Sequence, residues 1–290
     1  MKRRSVLTAL SLGALGMSGL VPMKQALASL ERRDERMPVL FVGHGSPMNA
    51  ITDTPFSRAW TELGGTLPRP TAILCVSAHW ETKGVMVTAM DRPQTIHDFY
   101  GFPEALHAKL YPAPGAPELA RKTAELVRKA PVALDQSWGL DHGTWSVLAR
   151  MFPRADVPVF QLSLDATRAS SWHYDLGKEL KPLRERGVLV MGSGNIVHNL
   201  RRVSRQLPDA GFDWAIEFDA KIKGLIDRGD HQGVIDYQAL GQAAQLSVPT
   251  NEHFLPLLYA LALKDEKERI VYFNDAATMG SISMRSLLIG

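Results

Sequence analysis

Three apolar runs of this 290-residue chain each deliver a histidine at or just past their carboxyl end. Pro38 to Gly43 runs into His44-Gly45-Ser46-Pro47, and Ala72 to Ala78 delivers His79-Trp80. Val188 to Met191 opens through Gly192-Ser193-Gly194-Asn195 to His198. A fourth histidine, His253 in Pro249-Thr250-Asn251-Glu252-His253, falls in the first turn of a helical pattern that Thr250 or Asn251 can cap. Neutral imidazoles on strand ends and helix starts are what a divalent metal site needs, because the scaffold fixes the ligands while loops leave one face open to substrate. Singly, each is more simply a structural hydrogen-bonding residue; together they point to metal chemistry. A fifth histidine, His142 in Leu140-Asp141-His142-Gly143-Thr144-Trp145, lies in a loop before a helix, as an acid/base group or as a capping residue. Adjacent loop side chains often point apart, so no pairing with Asp141 is inferred.

Other chemistries fit less well. The single cysteine, Cys75, excludes an intrachain disulfide and a thiolate zinc cluster, so a metal must be held by His, Asp or Glu. Cys75 itself sits in the middle of an apolar run and reads as core. Gly192-Ser193-Gly194 follows a strand but lacks the third glycine of a dinucleotide loop and the Lys-Ser/Thr of a P-loop. Neither Ser46 nor Ser193 stands in a Gly-x-Ser-x-Gly elbow. His97 lies among the aromatics of Ile96 to Pro103, and His107, His173 and His231 fall in or beside helical patterns as structural or solvated residues.

These residues need a rigid frame, and the hydropathy pattern supplies one. Strand-like runs at Pro38 to Gly43, Ala72 to Ala78, Val85 to Met90, Val157 to Leu164, Val188 to Met191 and Arg269 to Phe273 alternate with helical patterns. The helical stretches are Phe56 to Leu63, Glu104 to Leu110, Pro117 to Lys129, Trp145 to Met151, Ser170 to Arg184, Phe212 to Arg228, Val234 to Gln238 and Asn251 to Leu263. Several strands are continuous Val/Ile/Leu runs, as expected when both faces are buried. The fold class expected is α/β: a single domain over 37–290, with a central mainly parallel sheet flanked by helices and the metal site at the carboxyl ends of the strands.

Charge divides the chain. It carries 33 Lys+Arg against 30 Asp+Glu, a net of +3. Residues 1–28 hold Lys2, Arg3, Arg4 and Lys24 and no acid; removing those four leaves 29 basic against 30 acidic residues, a net of −1. The mature chain therefore offers no electrostatic basis for nucleic-acid binding. A basic start, an uncharged run from Ser5 to Met23 and Ala26-Leu27-Ala28 read as a cleavable signal peptide, and Arg3-Arg4-Ser5-Val6-Leu7 resembles a twin-arginine signal. The expectation is export to the periplasm, in folded form, of the 262 residues that follow. The run is too rich in Ser, Thr and Gly for a permanent membrane anchor, and no motif sets an oligomeric state.

Six segments in order, Gly43 to Pro47, Ser77 to Trp80, His97 to Pro103, Leu140 to Trp145, Gly192 to Asn199 and Glu252 to Leu257, resemble the DOPA-dioxygenase type of class III extradiol ring-opening dioxygenases. The resemblance spans about residues 38 to 285. It implies one mononuclear metal held by His44, His79, His198 and His253, with His142 as the catalytic acid/base. Glu252 is a reserve ligand, because related enzymes use two histidines and a glutamate; successive helical residues diverge by about 100°, which favours His253. It also implies a small-molecule catechol and dioxygen as substrates and Fe(II) as the metal for turnover, with Zn(II) able to occupy the same nitrogens. The competing readings are a zinc-dependent hydrolase with His142 as base, and a non-catalytic metal-binding exported protein on the same fold.

Overall fold

Alternation within the apolar runs sets the layers. Val39 and Phe41, Leu74 and Val76, and Val188 and Val190 enter one hydrophobic cluster. Their neighbours Leu40 and Val42, Ile73 and Cys75, and Leu189 and Met191 enter another. Successive strand side chains point to opposite faces, so these runs lie in a sheet with a core on each side. The computed structural model describes residues 36–290; the expected leader, residues 1–28, lies outside them.

The strands are β1 (Val39–Gly43), β2 (Ala72–Thr82), β3 (Val85–Thr88), β4 (Val132–Asp135), β5 (Val159–Asp165), β6 (Val188–Gly194), β7 (Ile270–Phe273), β8 (Ala277–Thr278), β9 (Ile282–Ser283) and β10 (Ser286–Ile289). One sheet runs in the order β4-β3-β5-β2-β6-β1-β10-β7, while β8 and β9 form a separate antiparallel pair. Its centre, β5-β2-β6-β1, is parallel; β3 meets β5 antiparallel, and β10 is antiparallel to both β1 and β7. The longer helices are α1 (Pro55–Thr66), α2 (Pro117–Leu126), α3 (His142–Met151), α4 (Ser170–Glu179), α5 (Asp213–Asp227) and α6 (Leu255–Ala262). Through Trp60 and Val147, α1 and α3 cover one face. Through Leu126, Leu176, Phe218 and Leu258, the other four cover the second. No helix among the described residues is long and apolar enough to cross a membrane.

Four departures from the sequence reading concern the site. The expected strand at Val188 to Met191 continues to Gly194, and the glycines serve close approach, not a turn. A Cβ on Gly192 would lie 2.3 Å from the Pro256 carbonyl oxygen, and one on Gly194 would lie 2.1 Å from that of His253. His142 is not in a loop: it is the first residue of α3, whose N-cap Asp141 accepts from the Thr144 amide at 3.1 Å. Asn251 to Phe254 form a turn ahead of α6, so His253 precedes the helix. β2 runs past Ala78 to Thr82, so His79 lies inside a strand. The short strands β4, β8, β9 and β10 were not foreseen.

Candidate metal centre

The register of the central strands builds the first part of the site. β1 and β6 end level, Gly43 opposite Gly194, and the His44 amide donates to the Gly194 carbonyl at 3.1 Å. That places the buried His44 ring with Nδ1 3.0 Å from the Ser193 hydroxyl. Ser193 spends its one proton on the Gly143 carbonyl at 2.6 Å, so it accepts from Nδ1–H of His44. The hydrogen-bond network thus assigns the tautomer: Nε2 of His44 is bare, and it faces Nε2 of His79 at 3.0 Å.

His79 reaches this position through an irregularity. The pairing of β2 with β5 shifts register between Val76 and Glu81, and such a bulge re-aims the side chains within it. Gly143 then packs so closely that a Cβ there would lie 2.7 Å from Ser77 Oγ and 2.9 Å from the His79 ring. Asp98 faces the outer nitrogens: Oδ2 lies 3.4 Å from Nδ1 of His79, and Oδ1 lies 3.0 Å from Nδ1 of His142. Oδ1 also accepts from the His142 amide at 2.9 Å. Burial pushes the Asp98 carboxyl up, but hydrogen bonds and charge from His142 and His79 outweigh it and hold it below the ordinary range.

Asp98 is the functional residue that the sequence reading missed. Its position beside His97 in one of the recurring segments was a signal without a partner, because His142 is 44 residues away. Asp141, the neighbour in sequence, points into the protein and accepts from Ser77 Oγ at 2.7 Å and Gln161 Nε2 at 2.6 Å. Burial and the nearby Asp98 raise its pKa.

The second part of the site comes from the turn before α6. The His253 carbonyl accepts from the Asn195 amide at 2.8 Å, which ties this turn to the end of β6. Nδ1 of His253 meets Oε1 of Glu252 at 2.9 Å, and its Nε2 is buried without a hydrogen-bond partner. The ring lies 5.4 Å from that of His44 and 5.0 Å from that of His79. Because the pair stands on a turn, the 100° divergence of helical neighbours does not apply, and Glu252 reaches back to the ring of His253. His198, whose amide donates to Ser247, stacks on His253 at 3.4 Å and 9°.

All five predicted site residues therefore converge, in two groups. His44, His79 and His142 bring ligand atoms within 4.8 Å of one another, and so do His198, Glu252 and His253. Burial, with smaller contributions from neighbouring histidines, lowers the pKa of His79 to about 3 and of His198 to about 4, and depresses His44 and His253 strongly. At neutral pH these rings are lone-pair donors. The bare Nε2 of His44 and the Nε2 of His79, 3.0 Å apart and so able to share a point at an ordinary metal–imidazole length of about 2.1 Å, and the orphaned Nε2 of His253 fit a divalent cation.

An open α/β sheet with this imidazole cluster at its strand ends defines a metal-dependent enzyme that keeps a face for substrate. The chain belongs to the family described as the catalytic LigB subunit of aromatic ring-opening dioxygenase, which it matches over residues 40–284. It is 47% identical over 261 residues to a 4,5-DOPA dioxygenase extradiol of Escherichia coli K12, covering 88% of this chain and 95% of that protein. A protein of the same name from Beta vulgaris is 36% identical over 260 residues, covering 87% and 96%. A crystal structure of an uncharacterised Escherichia coli K12 protein superposes with a TM-score of 0.77 at 42% identity, covering 88% of this chain and all of that one. The protein is an extradiol ring-cleavage dioxygenase, an oxidoreductase, and the hydrolase and non-catalytic readings are not favoured.

Proposed function

We propose that this enzyme opens DOPA-like catechols beside the diol, with Fe(II) held by His44, His79, His198 and His253 and with His142 as acid/base. One observation carries the reading. The Nε2 atoms of His44 and His79 face each other at 3.0 Å, with the ring proton of His44 held at Nδ1 by Ser193 and the Asp98 carboxylate 3.4 Å from Nδ1 of His79. The names of the relatives supply the substrate class.

Bound there, Fe(II) supplies the redox-active Lewis acid that lets a catechol and dioxygen react, whereas Zn(II) on the same nitrogens supplies no redox chemistry. The protein's own contribution is proton handling. With Nδ1 of His142 against Asp98, the Nε2 side is free to take a proton from a catechol hydroxyl and later return one to oxygen. Asp98 offsets the charge gained, as a carboxylate does for a catalytic histidine. Phe99 packs edge-on against the His142 ring at 5.6 Å and keeps that side dry.

Anaerobic reconstitution with Fe(II), addition of DOPA and admission of air should consume dioxygen and give a yellow ring-opened semialdehyde acid. No oxygen uptake across a catechol panel, with iron bound, would sink the reading. His142→Ala should lower turnover by about 10² to 10⁴ and leave metal content unchanged. Equal loss of both would make His142 a ligand, a live distinction because it shares its group with His44 and His79.

For the leader, the reading is export through a twin-arginine route, with metal acquired before translocation and cleavage after Ala28. Mass spectrometry of the exported protein should find an N-terminus at Ser29, and an intact Met1 would overturn it.

A further inference from the structure

Beside the second histidine pair lies a cavity of about 270 Å³ whose walls include His198, His253, Glu252, Thr250, Leu200 and Arg201. Its floor is two of the imidazoles assigned to the metal, so a ring seated there has this space next to it. Three other surface cavities have no site histidine in their walls: one, for example, lies among Gly64, Met151 and Arg154.

The walls carry one charge of each sign, and neither is neutralised. Arg201 makes no ion pair and no side-chain hydrogen bond among the described residues. Glu252 uses only Oε1, which accepts from Thr250 Oγ1 at 3.0 Å and meets His253 Nδ1 at 2.9 Å, and Oε2 has no hydrogen bond among the described residues.

The backbone that presents Arg201 is fixed. Asn199, buried, donates its side-chain amide to the Leu246 carbonyl at 2.7 Å and accepts from the Arg201 amide at 3.1 Å. Its own amide donates to the Ser281 carbonyl at 3.1 Å, and its carbonyl accepts from Ser281 Oγ at 2.8 Å. Four hydrogen bonds thus pin the turn Leu200–Arg202 at the rim of the cavity. A guanidinium without a partner of its own, presented from a fixed turn, is a fork available to a planar carboxylate.

We infer that this cavity receives the substituent of the catechol, that Arg201 binds a carboxylate on it, and that the free oxygen of Glu252 faces an ammonium. The inference rests on the catechol reading above and adds to it the residues that select an amino-acid side chain. Arg201 is a specificity residue that leaves the ring chemistry to the histidines.

The test is equilibrium binding to the Zn(II)-loaded protein under anaerobic conditions, followed by calorimetry with four catechols. These are DOPA, 3,4-dihydroxyphenylpropionate (carboxylate only), dopamine (ammonium only) and 4-methylcatechol (neither). Arg201→Ala should weaken DOPA and the propionate about tenfold and leave dopamine and 4-methylcatechol within about twofold. Arg201→Lys should recover part of the loss. Arg202→Ala, on the same turn but outside the cavity wall, should change none of the four. Equal weakening of all four catechols by Arg201→Ala, or none, overturns the inference. So does a wild-type protein that binds DOPA no better than 4-methylcatechol, a result that leaves the catechol reading standing. Binding of none of the four overturns both.

Discussion

The two ends of the central sheet bury polar groups in opposite ways. At the amino ends, between the residues preceding β1 and β6, every nitrogen of the buried Arg184 guanidinium is hydrogen-bonded. Its Nε donates to the Met37 carbonyl at 2.8 Å, Nη1 to the Leu263 carbonyl at 2.7 Å and to Glu268 Oε2 at 3.0 Å, and Nη2 to Glu268 Oε1. Oε2 of Glu268 also accepts from the Asp265 amide at 2.8 Å. At the carboxyl ends, Nε2 of His44 and Nε2 of His79 face only each other and His253 leaves one nitrogen without a partner. A guanidinium bonded at every nitrogen serves the fold, whereas imidazole nitrogens that converge without other partners are open to a ligand from outside. Burial alone does not separate the two clusters; hydrogen-bond accounting does.

The sharpest way to break this contrast is to cut each end in turn. Arg184→Met removes donors from two main-chain carbonyls and strands Glu268, so the metal-free protein should lose about 3 kcal/mol of unfolding free energy in urea. The metal bound per folded molecule should not change. His253→Gln keeps an amide donor for Glu252 but replaces the orphaned nitrogen. It should cost the metal-free protein about 1 kcal/mol or less while lowering metal affinity at least about 100-fold. If His253→Gln unfolds the metal-free protein as readily as Arg184→Met, the histidine cluster is structural and the contrast fails.

How much of this was legible in the sequence follows from the range of each interaction. The histidines stood out because strands announce themselves over five to seven residues and each ring lies within a few residues of a strand end or a turn. The α/β architecture was readable for the same reason. The partners of the rings were not readable, because they arrive from other elements. Ser193 was weighed only as a nucleophile, yet its hydroxyl fixes the tautomer of His44, which is 149 residues distant. Asp141 was the visible neighbour of His142, but Asp98 is the carboxylate that faces it. Gly192 and Gly194 looked like a loop because the carbonyls that require them belong to His253 and Pro256.

A smaller effect should come from that tautomer lock. Ser193→Ala leaves Nδ1 of His44 without its acceptor and the Gly143 carbonyl without its donor. The ring can then place its proton on Nε2, the nitrogen assigned to the metal. Metal affinity should fall about tenfold, within the 10- to 100-fold range usual for groups that orient metal-bound histidines, and Ser193→Thr should restore most of it. Unchanged affinity in Ser193→Ala would show that the histidine end is held without help from its neighbours.

The smallest expected effect separates the two ends by pH. At the histidine end His198 titrates at about 4 and His79 at about 3, against an ordinary value of 6.5. Between those values the unfolded chain takes up protons that the folded cluster refuses, so stability is complete above 6.5 and declines as pH falls toward about 4. At the other end, burial would raise Glu268, but the hydrogen bond from Arg184 overrides it and holds the carboxyl below its ordinary 4.5. Its contribution is therefore present above 4.5 and lost only as pH falls further. The metal-free protein should lose about 5 °C or more in Tm between pH 6.5 and 4.5, before the clamp begins to titrate. Glu268→Gln should lower Tm throughout and flatten the profile only below 4.5, whereas saturation with Zn(II) should steepen it above 4.5, because metal and protons compete for the same nitrogens. A Tm that is flat from pH 6.5 to 4.5 in the metal-free protein would mean that the imidazoles are as accessible to protons as in the unfolded chain, contrary to their burial.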